Sequence, residues 1–291
     1  RRDGYARRLT DGEQLGDKDA TIARAQIAWR PSEDLSAKLT LDTTRVRQGS
    51  APLTLIDVAV SGVPFLNLYN SLVAPTLGIG APGGSTTVNT AWLTDDIDST
   101  HAGGRSINDL ESQGVALTLD SSLGASELRS ITAWRKLDAQ FARDGDNTPF
   151  TFRETFNDDR QEQFSQELQW SGSNGERSVD WVSGLYFFQE NASEQGSATL
   201  APGLYDALEA LNLAPDQTWC GLAGANPQPI GSCPASLRYG GTAFHDNNVL
   251  VDLDVDLLTR VRNRSVAIFG QGTHQFAGGW SVTAGVRWTK D

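Results

Sequence analysis

Residues 280–289 alternate strictly in character. Trp280, Val282, Ala284, Val286 and Trp288 occupy one parity, and Ser281, Thr283, Gly285, Arg287 and Thr289 the other. Successive side chains of a strand leave on opposite faces, so this segment is a strand with one apolar and one polar face. The run Ser265 to Phe276 precedes it across Ala277-Gly278-Gly279, a link short enough for a hairpin. Tryptophans close both ends of the apolar face. A strand has that form when its outer face meets lipid between two interfacial aromatic belts. The first arm is apolar on both parities and does not itself reveal its outward side.

Alternation of this kind recurs upstream. Ala23, Ala25, Ile27 and Trp29 oppose Arg24, Gln26 and Arg30; after Pro31-Ser32-Glu33-Asp34, Leu35, Ala37, Leu39 and Leu41 oppose Ser36, Lys38, Thr40 and Asp42. Val115, Leu117 and Leu119 pair in the same way with Leu128 to Trp134 across Ser121–Ala125, and Phe164 to Trp170 with Val179 to Phe187 across Gly172–Arg177. Each strand is expected to have about ten to fourteen residues, enough to cross a bilayer when tilted. Between hairpins the chain is expected to be irregular over Gln48–Asn108, Asp138–Arg160 and Asn191–Arg262. Within the last of these, Leu204, Ala207, Leu208 and Leu211 have the spacing of a short amphipathic helix.

Short and long connections therefore alternate. In an up-and-down antiparallel sheet this puts every short turn at one end and every long loop at the other, as in transmembrane barrels. Tryptophan position is an independent indication. Trp29, Trp170, Trp181 and Trp280 fall beside short turns, and Trp134 and Trp288 at the long-loop ends of their strands. These six form the expected interfacial girdles; Trp92 and Trp219 lie in long loops.

Composition narrows the alternatives. In 291 residues no uninterrupted apolar run is long enough for a membrane helix, and the nearest, Ala51–Gly80, is broken by Asp57, Pro64, Asn67, Asn70 and Pro75. A net charge of -12 opposes nucleic-acid binding. Cys220 and Cys233 lack the spacing of a redox motif and have no nearby zinc ligands; they are read as a loop-clamping disulfide, with two unpaired thiols as the alternative.

Enzymatic signatures are absent from the sequence: it has no nucleophile elbow, phosphate loop or acid/base pair, and no cofactor is implied. His101, His245 and His274 are too dispersed for a metal motif. Asp252, Asp254 and Asp256 share one strand parity, either as a cation site or as the solvated face of a hairpin arm. The loop aromatics Phe65, Tyr69, Trp92, Tyr205, Trp219, Tyr239 and Phe244 are candidates for ligand contact, against the alternative that they pack the loops. Arg24, Arg30, Lys38, Arg129, Arg135 and Arg287 share the polar parity, where they either salt-bridge an inner wall or line an electropositive route.

Ser265-Val-Ala-Ile-Phe-Gly-Gln-Gly-Thr followed by Trp280-Ser-Val-Thr-Ala-Gly-Val-Arg-Trp-Thr resembles a barrel hairpin of TonB-dependent outer-membrane receptors. Gln163-Phe-Ser-Gln-Glu-Leu-Gln-Trp with Trp181-Val-Ser-Gly-Leu-Tyr-Phe-Phe, Asp3-Gly-Tyr-Ala-Arg-Arg and Ala25-Gln-Ile-Ala-Trp-Arg-Pro-Ser-Glu-Asp-Leu are similar to the same family. The resemblance touches all four hairpins and not the long loops. It implies a barrel of about 22 strands around a plug domain, placed in the Gram-negative outer membrane. The implied activity is energy-dependent uptake of a ferric siderophore or another bulky nutrient. The implied partners are outer-membrane lipid, lipopolysaccharide and the TonB complex acting through the plug.

No plug or TonB-contacting segment is recognisable here, and Thr289-Lys290-Asp291 lacks the family's closing aromatic strand. Residues 1–291 are therefore expected to be a partial barrel domain: an all-β, antiparallel up-and-down transmembrane sheet of about eight strands from a larger barrel. The rival readings are a passive porin or small barrel adhesin, which would show shorter loops and a C-terminal aromatic residue, and a soluble ligand-binding β-sandwich.

Overall fold

The computed structural model describes residues 1–59, 64–81, 83–174, 176, 178–204, 206–207, 217–220, 227–229, 238–239 and 253–291. A small hairpin, β1 (Ala6–Arg8) and β2 (Gln14–Leu15), leads into β3 (Asp19–Trp29) and β4 (Leu35–Arg47). The link that follows holds one helix, α1 (Pro64–Leu72), 3-10 turns at Ala74–Leu77 and Thr90–Trp92, and the short β5 (Ser99–Thr100). Then come β6 (Ile107–Leu123), β7 (Ser126–Asp144), β8 (Arg153–Ser173) and β9 (Val179–Leu200). Three short strands, β10 (Gln217–Cys220), β11 (Pro227–Pro229) and β12 (Arg238–Tyr239), precede the final pair, β13 (Leu253–Gln275) and β14 (Ser281–Lys290).

Eight strands make one sheet in the order β3-β4-β6-β7-β8-β9-β13-β14, each pairing antiparallel with its neighbour. The sheet is open, with β3 and β14 at its edges. Its short turns all lie at one end; Gly124, Gly278 and Gly279 take positive φ there, which a side chain would disfavour. Residues 1–18 fold at the opposite, loop end, where β1 pairs with β2 and runs parallel to β5.

Strand replaces most of the expected irregular segment Asp138–Arg160 and both ends of Asn191–Arg262. Only residues 145–152 separate β7 from β8, while β9 continues to Leu200 and β13 begins at Leu253. Strands of 17 to 23 residues replace the expected ten to fourteen in β6, β7, β8, β9 and β13. The reason is physical. Where both faces are wet, a strand needs only its hydrogen-bond ladder, so the apolar/polar alternation lapses while the pairing continues. β13 differs in kind: beyond Arg264 it still alternates, but the apolar side chains Val261, Leu257, Val255 and Leu253 stand on the other face.

Register assigns the faces. One row of paired residues runs Trp29, Ala37, Leu119, Ser130, Leu168, Leu185, Ile268, Trp288 from edge to edge. The ambiguous arm of the last hairpin is thereby resolved, with Val266 and Ile268 on the tryptophan face and Ala267 and Phe269 on the other. Trp134, Trp170 and Trp181 lie on this same face. Trp280 sits one residue before β14, at the same parity. Trp170 and Trp181 meet edge to face, their ring centres 5.0 Å apart. The face is accessible: Ile27 is 59% exposed, Trp29 64% and Val286 75%.

The tryptophans form a staircase. On β13, the row through Trp134 falls at Arg264 and the row through Trp288 at Ile268, four residues apart. Four residues are about 13 Å along a strand, and the four strand steps between the two tryptophans about 19 Å across, which gives a tilt of about 35°. Barrel strands lean by that much. The row that starts at the turn end on Trp29 ends at the loop end on Trp288, as a tilted sheet requires.

On the opposite face Gly184 accommodates the Phe269 ring. A Cβ at that position would lie 2.4 Å from Phe269 Cζ and 2.7 Å from the Leu168 carbonyl oxygen. Gly184→Ala is expected to destabilise the folded sheet by about 1–3 kcal/mol through overpacking, read as a lower urea midpoint.

Candidate functional site: the polar wall and the loop unit above it

A single-layer sheet has no interior of its own, and the buried apolar side chains collect at its loop end. There α1 and the segment after it pack Leu66, Tyr69, Val73 and Trp92 against Phe150, Ala201 and Leu204. Tyr69 is 1% exposed and meets Phe152 edge-on at 5.1 Å. Trp92, 3% exposed, meets Phe150 at 5.7 Å and His101 at 5.3 Å, and its Nε1 donates to the Thr87 carbonyl at 2.9 Å. Burial pushes the Tyr69 hydroxyl up to about 12 and holds His101 below the usual histidine range. The expected helical spacing is realised at Leu204 and Ala207, where Ala207 N–H donates to the Gly203 carbonyl; Leu208 and Leu211 lie outside the described residues.

Two aspartates latch this unit to the sheet. Asp144, at the end of β7, accepts from the backbone N–H of Gly103 (2.9 Å) and Gly104 (3.0 Å) through Oδ2. Through Oδ1 it accepts from Asp146 (2.9 Å) and Asn147 (2.7 Å). It therefore ties the β4–β6 link to the β7–β8 turn. Asp146 closes that turn by accepting from the backbone N–H of Thr148, Phe152 and Arg153, with the Thr148 hydroxyl in very close contact. Arg8 anchors the β1–β2 hairpin with ion pairs to Glu13 (2.6 Å) and Asp11 (3.2 Å) and a bond to the Gly104 carbonyl (3.1 Å).

Burial, and next the neighbouring Asp144 charge, push Asp146 up to about 7; the Thr148 and backbone donors only partly offset this. An unfolded aspartate titrates near 3.9, so between that value and about 7 the native state holds a proton the unfolded state lacks. Stability of the loop unit should thus rise as pH falls through 7. Amide exchange at Thr148 and Phe152, corrected for intrinsic rates, should be slower at pH 5.5 than at pH 8.

Below the loop unit, the face opposite the tryptophans is a hydrogen-bonded polar wall. Arg135 binds both Asp42 oxygens (3.0 and 2.9 Å) and the Ser112 hydroxyl (3.2 Å). Arg129 pairs with Asp120 and Glu127. Glu190 accepts from Asn263 (2.6 Å) and Gln161, and Glu194 from Asn157 (3.0 Å). Arg287 lies over Tyr186 and Phe269. Of the six cations expected on this face, Arg24, Lys38, Arg129, Arg135 and Arg287 occupy it by register, and Arg30 falls just beyond β3. Carboxylates neutralise Arg129 and Arg135, so the wall is mixed in charge.

The candidate ligand residues divide among several places. Tyr69 and Trp92 are packed inside the loop unit. Phe65 belongs to α1. Trp219 and Tyr239 are direct register partners in the small β11-β10-β12 sheet. Phe244 and Tyr205 lie outside the described residues, as does Cys233, while Cys220 ends β10. Asp254 and Asp256 are exposed on β13 and Asp252 is outside the described residues. Among the described residues no group of three His, Cys, Asp or Glu side chains could hold a metal ion.

The ferric yersiniabactin uptake receptor FyuA from Yersinia pestis superimposes on 99% of this chain and 32% of its own, with a TM-score of 0.53 at 13% identity. The fold is that of part of a transmembrane β-barrel. The outer membrane transporter YddB from Escherichia coli aligns over 98% of this chain and 29% of its own, with a TM-score of 0.38 and 13% identity. The chain spans about a third of the length of these structures. No protein-family model and no curated protein matches it. In a barrel the tryptophan face is the lipid face and the Arg135 wall is the lumen face.

Proposed function

We propose that the chain is a barrel portion of a TonB-dependent importer in the Gram-negative outer membrane, and that the whole receptor takes up a ferric siderophore or a similar bulky iron complex. The observation that carries the reading is the division of the sheet. It bears a tilted aromatic staircase on the face that meets lipid and an ion-paired, hydrogen-bonding wall on the other. Trp29, Trp170, Trp181 and Trp280 make the lower girdle; Trp134 and Trp288 make the upper one, next to lipopolysaccharide. The plug that couples to the TonB complex belongs to the rest of the receptor. The loop unit, stiffened by Tyr69 and Trp92, frames the mouth, and Phe65, Trp219, Tyr239 and Phe244 supply aromatic surface to the ligand. Cys220 and Cys233 clamp the loop that carries them.

The FyuA likeness supports this substrate class, since that protein is an uptake receptor for ferric yersiniabactin. Iron-starved cells expressing the full-length receptor are expected to accumulate radiolabelled iron from a siderophore, and to lose that uptake when TonB is deleted. Uptake that persists without TonB would make the protein a passive pore instead.

A further inference from the structure

One buried cation beside the loop unit is only partly satisfied. Arg8 on β1 is 8% exposed, and its Nη1 and Nη2 reach Asp11, Glu13 and the Gly104 carbonyl. Its Nε is buried and has no hydrogen-bond partner among the described residues. A guanidinium keeps its charge and presents five N–H donors in a fixed fork. Nε–H shares one edge of that fork with Nη2, the nitrogen bound to Gly104. A buried donor left without an acceptor is costly, and such groups are nearly always matched.

Arg8 and Gly104 both line a cavity of about 20 Å³. It lies where β1 and β2 meet both ends of the β4–β6 link and the β7–β8 turn. Arg105 and Arg143 also line it, and Asp144 is the single carboxylate in the lining. Both Asp144 oxygens are already held by backbone N–H groups. Neither Arg105 nor Arg143 makes an ion pair among the described residues; Arg105 instead lies over the Phe156 ring at 4.8 Å. Three further carboxylates act from outside the lining. Asp11 and Glu13 are 51% and 55% exposed, so solvent screens them, and Glu154 acts on Arg105 from a distance.

A space of this size holds one particle about as large as a water molecule. Water would satisfy Nε–H but would leave three guanidinium groups facing one carboxylate. A monatomic anion meets both demands, because N–H donation to a charged acceptor is the stronger kind. A tetrahedral oxyanion is too large for the cavity.

We propose that this cavity is a halide site, with Arg8 Nε as its principal ligand and Arg105 and Arg143 as flanking cations. A halide there ties the β1–β2 hairpin to the β4–β6 link and the β7–β8 turn, alongside the Asp144 latch. The proposal does not depend on the transported substrate.

The test compares full-length protein in sodium bromide and in sodium gluconate at equal ionic strength and pH. The N–H groups of Arg8 and Leu9 bond Glu13 and Thr100 across the segments the halide would join. Their exchange should be about threefold slower once bromide reaches twice its Kd, since protection scales as 1 + [L]/Kd. Crystals grown in bromide should show an anomalous peak within hydrogen-bond reach of Arg8 Nε. Arg8→Lys keeps a cation for Glu13 but removes Nε–H, and should abolish both the slowing and the peak. If that variant does not fold, Arg143→Gln should weaken both, whereas lumen-facing Arg24→Gln should change neither. Equal exchange in the two salts, a water in place of the peak, or an unchanged response in a folded Arg8→Lys or Arg143→Gln variant would overturn the proposal.

Discussion

Arginine in place of Leu39 is expected to destabilise the assembled barrel by about 2–4 kcal/mol, the cost of a cation on the lipid face near mid-bilayer. Leu39 pairs directly with Ile27 on one side and Leu117 on the other, so the new charge has no polar neighbour in its row. The adjacent residue gives the internal control. Lys38 already carries a cation on the opposite face, beside Ala28 and Thr118. Lys38→Arg should therefore change stability by less than about 0.5 kcal/mol. Urea unfolding of the full-length protein in vesicles reads both. Equal tolerance at the two positions would mean that Leu39 does not face lipid.

The second large effect is expected at Asp144. Asp144→Ala removes the acceptor of four backbone N–H groups on two different segments. At 6% exposure the site is too closed for water to replace all four bonds. Hydrogen bonds to a charged group contribute about 1.5–3 kcal/mol each, not additively, so a local loss of about 4 kcal/mol is a reasonable scale. The loss should be confined to the loop unit. Protease cleavage in residues 100–104 and 145–150 should accelerate by at least tenfold, while the heat-modifiable gel mobility of the barrel is unchanged. Resistance equal to wild type would show that the apolar packing of Tyr69, Trp92 and Phe150 holds the unit without its polar latch.

The two sites differ in how plainly the sequence announces them. Leu39 and Lys38 could be placed on opposite faces from alternation alone, because lipid on one side and water on the other imposes a period of two. The same force made the hairpin turns and the tryptophans legible. Where that force ends, so does the signal: Arg153–Arg160 and Asn191–Leu200 look irregular because both of their faces are wet, yet both segments are paired strand. Asp144 and Asp146 stand in a Gly- and Asn-containing run that reads as a polar turn. Aspartates spaced to accept from the N–H groups just after them are a recognisable turn signal, but their partners at Gly103 and Gly104 are about forty residues away in sequence. For the loop aromatics, composition could not separate packing from ligand contact. Tyr69 and Trp92 are seen to pack only once the loop has folded onto Phe150 and Phe152.

The diagonal run from Trp29 to Trp288 bears on how the sheet is assembled correctly. A slip of one residue at any hairpin would turn every later side chain to the wrong face. A slip of two keeps the faces but carries all later tryptophans about 6.6 Å along the strand, roughly a quarter of the apolar band's height of about 25 Å. Every later aromatic would then miss its interface together. A bilayer of fixed thickness would therefore oppose such slips, most of all at β14, where shifts at each earlier hairpin add up.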